Sequence, residues 1–267
     1  MNDVKISFCA PSIRPHLWKQ FCDSLANTKV PWEAVFVGPL PPVESLPSNF
    51  RWIKSNVKPS QCTHIAFMEA KGEFLALTAD DAQYFSPDKT SSTDNMISFI
   101  ENFPYIDDYA QDMAFGYRMF EDNYCVETSL THKLSFVHNV TSPLLFPFFV
   151  VHKSTYLKLH GYDTRFVCGQ AENDFLLRIA TTYGHTVSTL APKSMVWANH
   201  DSGHENKSKF REYHFYETEV LKELWSIDGS YVHKRQRTLN EYTNDDTLYT
   251  KTQGKNGRFE VTLGEWE

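Results

Sequence analysis

The stretch that most constrains the fold is Gly72 to Asp88, GEFLALTADDAQYFSPD. Phe74-Leu75-Ala76-Leu77 is a short unbroken apolar run, the pattern of a strand covered on both faces, and it stops at two adjacent acids, Asp80 and Asp81. In open α/β sheets ligands bind at the carboxyl ends of strands, so the acids stand where carboxylates could hold a divalent cation. Such a cation takes oxygen ligands and can bridge a nucleotide diphosphate. The same two acids also fit a solvated turn that caps a helix beginning near Ser86 and Pro87.

A chain of 267 residues, 41% hydrophobic and 15% aromatic, can bury a substantial core, and one enlarged α/β domain is expected rather than two. The formal net charge of -7 argues against a polyanion binder overall. Cys9, Cys22, Cys62, Cys125 and Cys168 are odd in number and scattered, which predicts reduced, mostly buried thiols. No apolar run approaches the roughly 18 residues of a membrane span. The longest, Pro143 to Val151, is interrupted by Pro147, and no signal-peptide pattern opens the chain. A soluble, cytoplasmic protein is the expectation.

The chain opens with a predicted strand, Val4 to Ala10, broken by Pro11-Ser12-Ile13-Arg14-Pro15 before a helix carrying Leu17, Phe21 and Leu25. A second strand, Trp32 to Val37, ends at Gly38-Pro39 and a proline-rich loop to Pro47, and a helix over Gln61 to Lys71 leads into the central strand. His64 on that helix reads as a surface residue. Further on, a helix from Thr93 to Phe103 and strands over Met113 to Phe120 and Pro147 to His152 are predicted. Asp107, Asp108, Asp112, Glu121, Asp122 and Glu127 read as solvated acids, and His132, His138 and His152 as structural or surface residues.

A second constellation follows a short helix, Ser154 to Leu159, and the turn His160-Gly161-Tyr162-Asp163. It is Gly169-Gln170-Ala171-Glu172-Asn173-Asp174, leading into Phe175-Leu176-Leu177-Arg178. Acids at a helix N-terminus are favoured by the macrodipole, and Arg178 is placed to pair Asp174 four residues back. Strands over His185 to Leu190 and Lys193 to His200 come next, then His200-Asp201-Ser202-Gly203-His204. Glu205 to Trp225 is helical in pattern and rich in aromatics. The tail is polar, with a basic cluster, His233 to Arg237, that reads as a solvated charge run.

In its two acidic segments and their order, the chain resembles inverting glycosyltransferases of the GT-A fold, family 2. Ala70-Lys71-Gly72-Glu73, the strand, Thr78-Ala79-Asp80-Asp81 and Ser86-Pro87-Asp88 resemble that family's metal-binding segment, with Thr78 standing where many members have a first acid. Glu172 to Arg178 resembles its catalytic segment. The likeness spans Val4 to His204 and implies an α/β fold of the GT-A (Rossmann-like) type, a three-layer sandwich around a mixed, mostly parallel sheet. It implies a catalytic domain over residues 1–204, with a nucleotide-binding half to about 90 and an acceptor half over about 91–204, and a C-terminal helix and polar extension over 205–267.

The resemblance also implies roles. Pro11, Ser12 and Arg14 fall on the nucleotide loop, and Asp80 serves both the nucleotide and the ion. Asp81 holds Mn²⁺ or Mg²⁺, and His200 completes the ion's shell, with His204 in reserve. Glu172 falls on the catalytic-base position and Asp174 on the family's second acid. The implied partners are a nucleotide diphosphate-sugar donor and a hydroxyl acceptor: a glycan, a lipid-linked sugar, a protein or a modified nucleic-acid base. The chemistry asks for such a set, because displacement at an anomeric carbon needs a base for the acceptor hydroxyl and stabilisation of the departing diphosphate. Two other readings stand beside it. One is a nucleotidyltransferase, whose usual glycine-rich basic loop after the first strand is missing here. The other is an inactive sugar-nucleotide or carbohydrate-binding module, suggested by Thr78 and by Val37-Gly38-Pro39 where family members carry a base-recognising Asp.

Overall fold

The computed structural model describes residues 4–103, 112–121, 124–130, 144–145, 147–183, 190–198, 207–225, 231–238, 250–253 and 259–262. Four parallel strands form one half of the main sheet: β1 (Ile6–Pro11), β2 (Trp32–Gly38), β3 (Phe50–Lys54) and β4 (Phe74–Leu77), in the order β3-β2-β1-β4. β5 (Ala82–Phe85) lies off this path. Beyond β4 the sheet turns mixed through β9 (Phe149–His152), β6 (Ala114–Glu121), β7 (Tyr124–Leu130) and β11 (Tyr231–Thr238). The short β8 (Leu144–Leu145) pairs β7, while β10 (Leu190–Ala198) runs parallel to β6 and antiparallel to β5. A separate hairpin joins β12 (Thr250–Gln253) and β13 (Phe259–Thr262).

Both faces of the parallel half are covered, which is why its strands read as apolar runs. Ile6, Phe8, Ala10, Ala34, Phe36, Phe74 and Ala76 point into one core, with α1 (Trp18–Ser24) and α3 (Ser92–Glu101). Cys9, Val35, Val37, Leu75 and Leu77 point into the other, beneath α2 (Pro59–Glu69), α5 (Ala171–Tyr183) and α6 (Lys207–Leu224). The period of two along each strand sorts alternate residues into opposite cores, giving three layers. A short α4 (Lys153–Lys158) follows β9 directly. The fold is thus the expected α/β, Rossmann-like sandwich around a mixed sheet.

Several local expectations are corrected. No helix starts at Ser86-Pro87. Ala82–Phe85 is instead a strand paired with Met195 to Ala198, and the helix begins at Ser92, where the Ser91 side chain accepts the Asp94 N–H at 3.0 Å. Within 190–198 there is one strand, bulged between Leu190 and Met195. The segment Tyr231–Thr238, which holds the basic cluster, forms a strand of the main sheet beside β7. Asp112 is buried rather than solvated, holding Thr155 Oγ1 at 2.9 Å and Lys158 Nζ at 3.2 Å. His64 packs inward, its Nδ1 2.7 Å from the Tyr156 hydroxyl, and burial lowers its pKa.

Candidate active-site cleft

A cavity of about 280 Å³ opens at the carboxyl ends of β1 and β2. This is the end of a parallel sheet at which α/β folds bind ligands. Pro11, Ser12 and Ile13 form its wall after β1, Val37, Gly38 and Pro39 its wall after β2. Gly38 is dictated by close approach: a Cβ there would lie 1.7 Å from the Ser12 carbonyl oxygen. Ser12 itself is buried, its N–H donates to the Val37 carbonyl at 2.8 Å, and its hydroxyl has no hydrogen-bond partner among the described residues. Asn56, Lys58 and Cys62 close the cleft from the start of α2, and Val167, Cys168 and Tyr213 from the α5 and α6 side. Lys58 Nζ lies 5.1 Å from the centroid of the Tyr213 ring, a cation–π contact at the rim.

The twin acids are buried, not turn residues in solvent: Asp80 is 1% exposed and Asp81 5%. β1 and β4 are parallel neighbours, with Thr78 N–H donating to the Cys9 carbonyl at 3.0 Å, so the loops leaving them meet. There Asp80 Oδ2 accepts the backbone N–H groups of Ile13 and Arg14, both at 2.7 Å. Asp80 Oδ1 accepts Arg14 Nε at 2.8 Å and Nη2 at 2.5 Å, and Asp81 Oδ2 accepts Arg14 Nη1 at 2.5 Å. Backbone and side chain of one residue therefore bracket one carboxylate, and the guanidinium joins both acids.

This bears on the expected ion. A carboxylate offers about four lone-pair sites, and those of Asp80 are all taken. Thr78, where many family members carry an acid, is neutral and buried. His200, the expected third ligand, and His204 lie outside the described residues. Among the described residues no group of three or more His, Cys, Asp or Glu side chains converges as a metal site. As they stand, these side chains do not fit a divalent ion.

The second constellation is built by α5 and α6 together. Glu172 stands in the first turn of α5, where burial pushes its carboxyl up to about 8; its own helix N–H opposes the shift and the Glu217 carboxylate adds to it. Cys168, on the cleft wall, is pushed up to about 12 by burial, with Glu217 and then Glu172 adding. Glu172 thus lies within electrostatic reach of the cleft lining. Glu217, buried on α6, accepts three successive N–H groups, Val167 at 2.5 Å, Cys168 at 2.9 Å and Gly169 at 3.0 Å. Asp174 is committed on both oxygens, to Trp225 Nε1 at 2.9 Å and Arg178 Nε at 2.9 Å. Arg178 continues to the Leu159 carbonyl at 2.5 Å and the Gly161 carbonyl at 2.6 Å, tying down the turn in which His160 and Gly161 both adopt positive φ.

The structure therefore brings Pro11 and Ser12 to the cleft and joins Arg14 with Asp80 and Asp81 beside it. Asp174 is drawn into a packing network. Asn56, Lys58, Tyr213 and Glu217 were not singled out by the sequence reading. Asn56 and Lys58 carry no motif, while Tyr213 and Glu217 are hidden in a helix whose aromatic stripe reads as core.

Solved structures share this arrangement of strands and helices. TarS 1–349 of S. aureus in complex with UDP-GlcNAc superposes with a TM-score of 0.51 at 15% identity, covering 82% of this chain and 67% of that one. The mannosyltransferase PcManGT from Pyrobaculum calidifontis, in complex with GDP-Man and Mn²⁺, gives 0.50 at 13% identity, covering 85% and 65%. The chain has a GT-A fold. The GT-A assignment rests on structure, since no protein-family model and no curated protein matches the sequence. The match takes in 37% of the longer TarS chain and 60% of its 1–349 segment, less than two thirds of either. Among the described residues, no helix of the GT-A chain is long and apolar enough to cross a membrane.

Proposed function

We propose that this chain is a glycosyltransferase that moves a sugar from a nucleoside diphosphate donor to a hydroxyl acceptor with inversion. The observation that carries the reading is a cleft at the carboxyl ends of β1 and β2 whose lining residues are each tied to an acid behind the wall. Ile13, held by Asp80, lines one wall, and Cys168, whose thiol feels Glu172, lines the other. UDP-GlcNAc and GDP-Man bound to structures of the same fold support a nucleoside diphosphate-sugar as donor. Residues 1–204 would form the catalytic body and 205–267 an extension whose α6 supplies Tyr213 to the cleft.

In this mechanism Glu172 takes the proton of the acceptor hydroxyl as its oxygen bonds to the anomeric carbon. The bond from that carbon to the diphosphate breaks on the opposite face, and the nucleoside diphosphate leaves with the electron pair. A carboxyl poised near neutrality is suited to this, because a general base works best with a pKa close to the operating pH. Lys58 supplies positive charge at the cleft for the diphosphate, and Ser12 offers a hydroxyl with no partner among the described residues. Asp174 positions α5 rather than meeting the substrate, since both its oxygens are occupied. Mn²⁺ in the PcManGT complex belongs to that protein.

Calorimetry with UDP and GDP, followed by turnover of a panel of sugar nucleotides, tests the reading. Glu172→Gln is expected to lower transfer by about 10²–10⁴-fold, the range typical of a general base, with nucleotide affinity unchanged. Full turnover by the variant removes Glu172 from the role. Saturable binding without product in the wild type favours the second reading, a binding module, for which the saturation of Asp80 by Ile13 and Arg14 speaks.

A further inference from the structure

The place where a GT-A protein would hold a divalent ion already contains a cation that belongs to the chain. We propose that Arg14 is the resident counter-ion of the Asp80–Asp81 pair and that nucleotide enters the cleft without a divalent ion. The nucleotide half of this inference rests on the functional reading above, whereas the ion half does not.

Three observations carry it. Asp80 is saturated, two sites by the N–H groups of Ile13 and Arg14 and two by the Arg14 guanidinium. Asp81 receives Nη1 of the same guanidinium at 2.5 Å, so both acids share one fixed positive charge. The Arg14 main chain is anchored beside the acids, because its backbone N–H is bonded to the carboxylate its side chain neutralises and parallel pairing of β1 with β4 brings the two loops together. A divalent ion at these oxygens would sit in contact with a guanidinium in a poorly solvated site, where like charges repel strongly. Expelling Arg14 would strip buried Asp80 of its charge partner. Thr78 removes a further anionic ligand that a hard cation would need. An arginine also stays charged across the working pH range and presents a rigid fork, which suits a permanent counter-ion better than a lysine would.

The test titrates the full-length protein with Mn²⁺ alone, following the free-ion signal by electron paramagnetic resonance, and measures UDP and GDP affinity with EDTA and with Mn²⁺. The wild type is expected to show no site tighter than about 1 mM. Nucleotide affinity is expected to differ by less than about threefold between the two conditions. Arg14→Gln is expected to tighten Mn²⁺ binding at least about tenfold, and adding Asp81→Asn to that variant to abolish the gain. A wild-type site of micromolar affinity that Asp81→Asn destroys would overturn the proposal, as would an Arg14→Gln protein that folds and gains nothing. If Arg14→Gln does not fold, the wild-type titration still decides. If neither nucleotide binds under any condition, the functional reading fails while the Mn²⁺ arm continues to judge the counter-ion.

Discussion

Two buried carboxylates occupy opposite ends of the same parallel strands, and their chemistry is nearly identical. At the amino ends, Glu33 accepts the Ser7 hydroxyl at 2.7 Å, the Lys71 N–H at 2.5 Å and Arg51 Nε at 3.0 Å. At the carboxyl ends, Asp80 accepts two backbone N–H groups and the Arg14 guanidinium. Each is an acid, an arginine and backbone donors. The difference lies in the surroundings: Ser7 also receives the Gly72 N–H at 2.8 Å, which closes the lower cluster on itself, whereas Asp80 holds the loop that lines a cavity. Polar composition alone does not mark a functional site. Position relative to strand direction does.

The sharpest way to break this comparison is to neutralise each acid in turn. Asp80→Asn should lower transfer by about 10²-fold or more, since it frees the Ile13–Arg14 loop that shapes the cleft and unpairs Arg14. Glu33→Gln should cost about 3–5 kcal/mol of stability, the usual penalty for breaking a buried ion pair, while leaving nucleotide affinity alone. Chemical denaturation and calorimetry on the two proteins separate the effects. If Glu33→Gln weakens nucleotide binding as much as Asp80→Asn does, the two ends are not functionally distinct.

A smaller effect comes from pH. Glu172 is a carboxyl held well above its ordinary 4.5, at about 8, so it is mostly protonated at neutrality. Transfer should therefore rise with pH by on the order of tenfold per unit below the plateau and level off above about 8. Stability should move the other way. Between about 4.5 and 8 the folded state binds the extra proton, so this group's contribution is present below that window and lost as pH rises through it. Rate profiles and melting temperatures on wild type and Glu172→Gln check both signs.

Smallest is a pair of serines on β1 and the residue after it. Ser7→Ala deletes a hydroxyl that donates to Glu33 and accepts from Gly72, and should cost about 1–3 kcal/mol of stability with no change in nucleotide affinity. Ser12→Ala deletes a hydroxyl with no partner among the described residues, and should leave stability within about 0.5 kcal/mol while weakening nucleotide binding a few-fold. Unchanged nucleotide binding in Ser12→Ala would remove that hydroxyl from the site.

What was legible in the sequence follows the same division. Phe74 to Leu77 and the acids after it could be read because burial on both faces leaves an unbroken apolar run. β3 escaped because Arg51 interrupts its pattern, and that arginine has a reason to be there only once Glu33 is seen beside it. β5 escaped because Ala82–Phe85 is four residues long and is made a strand by β10, more than a hundred residues away. Asp80 and Arg14 were each flagged, but their pairing across 66 residues has no local signature. It follows from strand order, and so does the correction to the ion site.

The clasp of Glu217 on three successive amides has one more consequence. It joins the far wall of the cleft to α6, so a cut at residue 204 would orphan the donors of that wall. Occupancy of the cleft and integrity of α6 become linked equilibria: whatever binds between Ser12 and Cys168 should protect the helix amides from hydrogen exchange, and a frayed helix should release its guest.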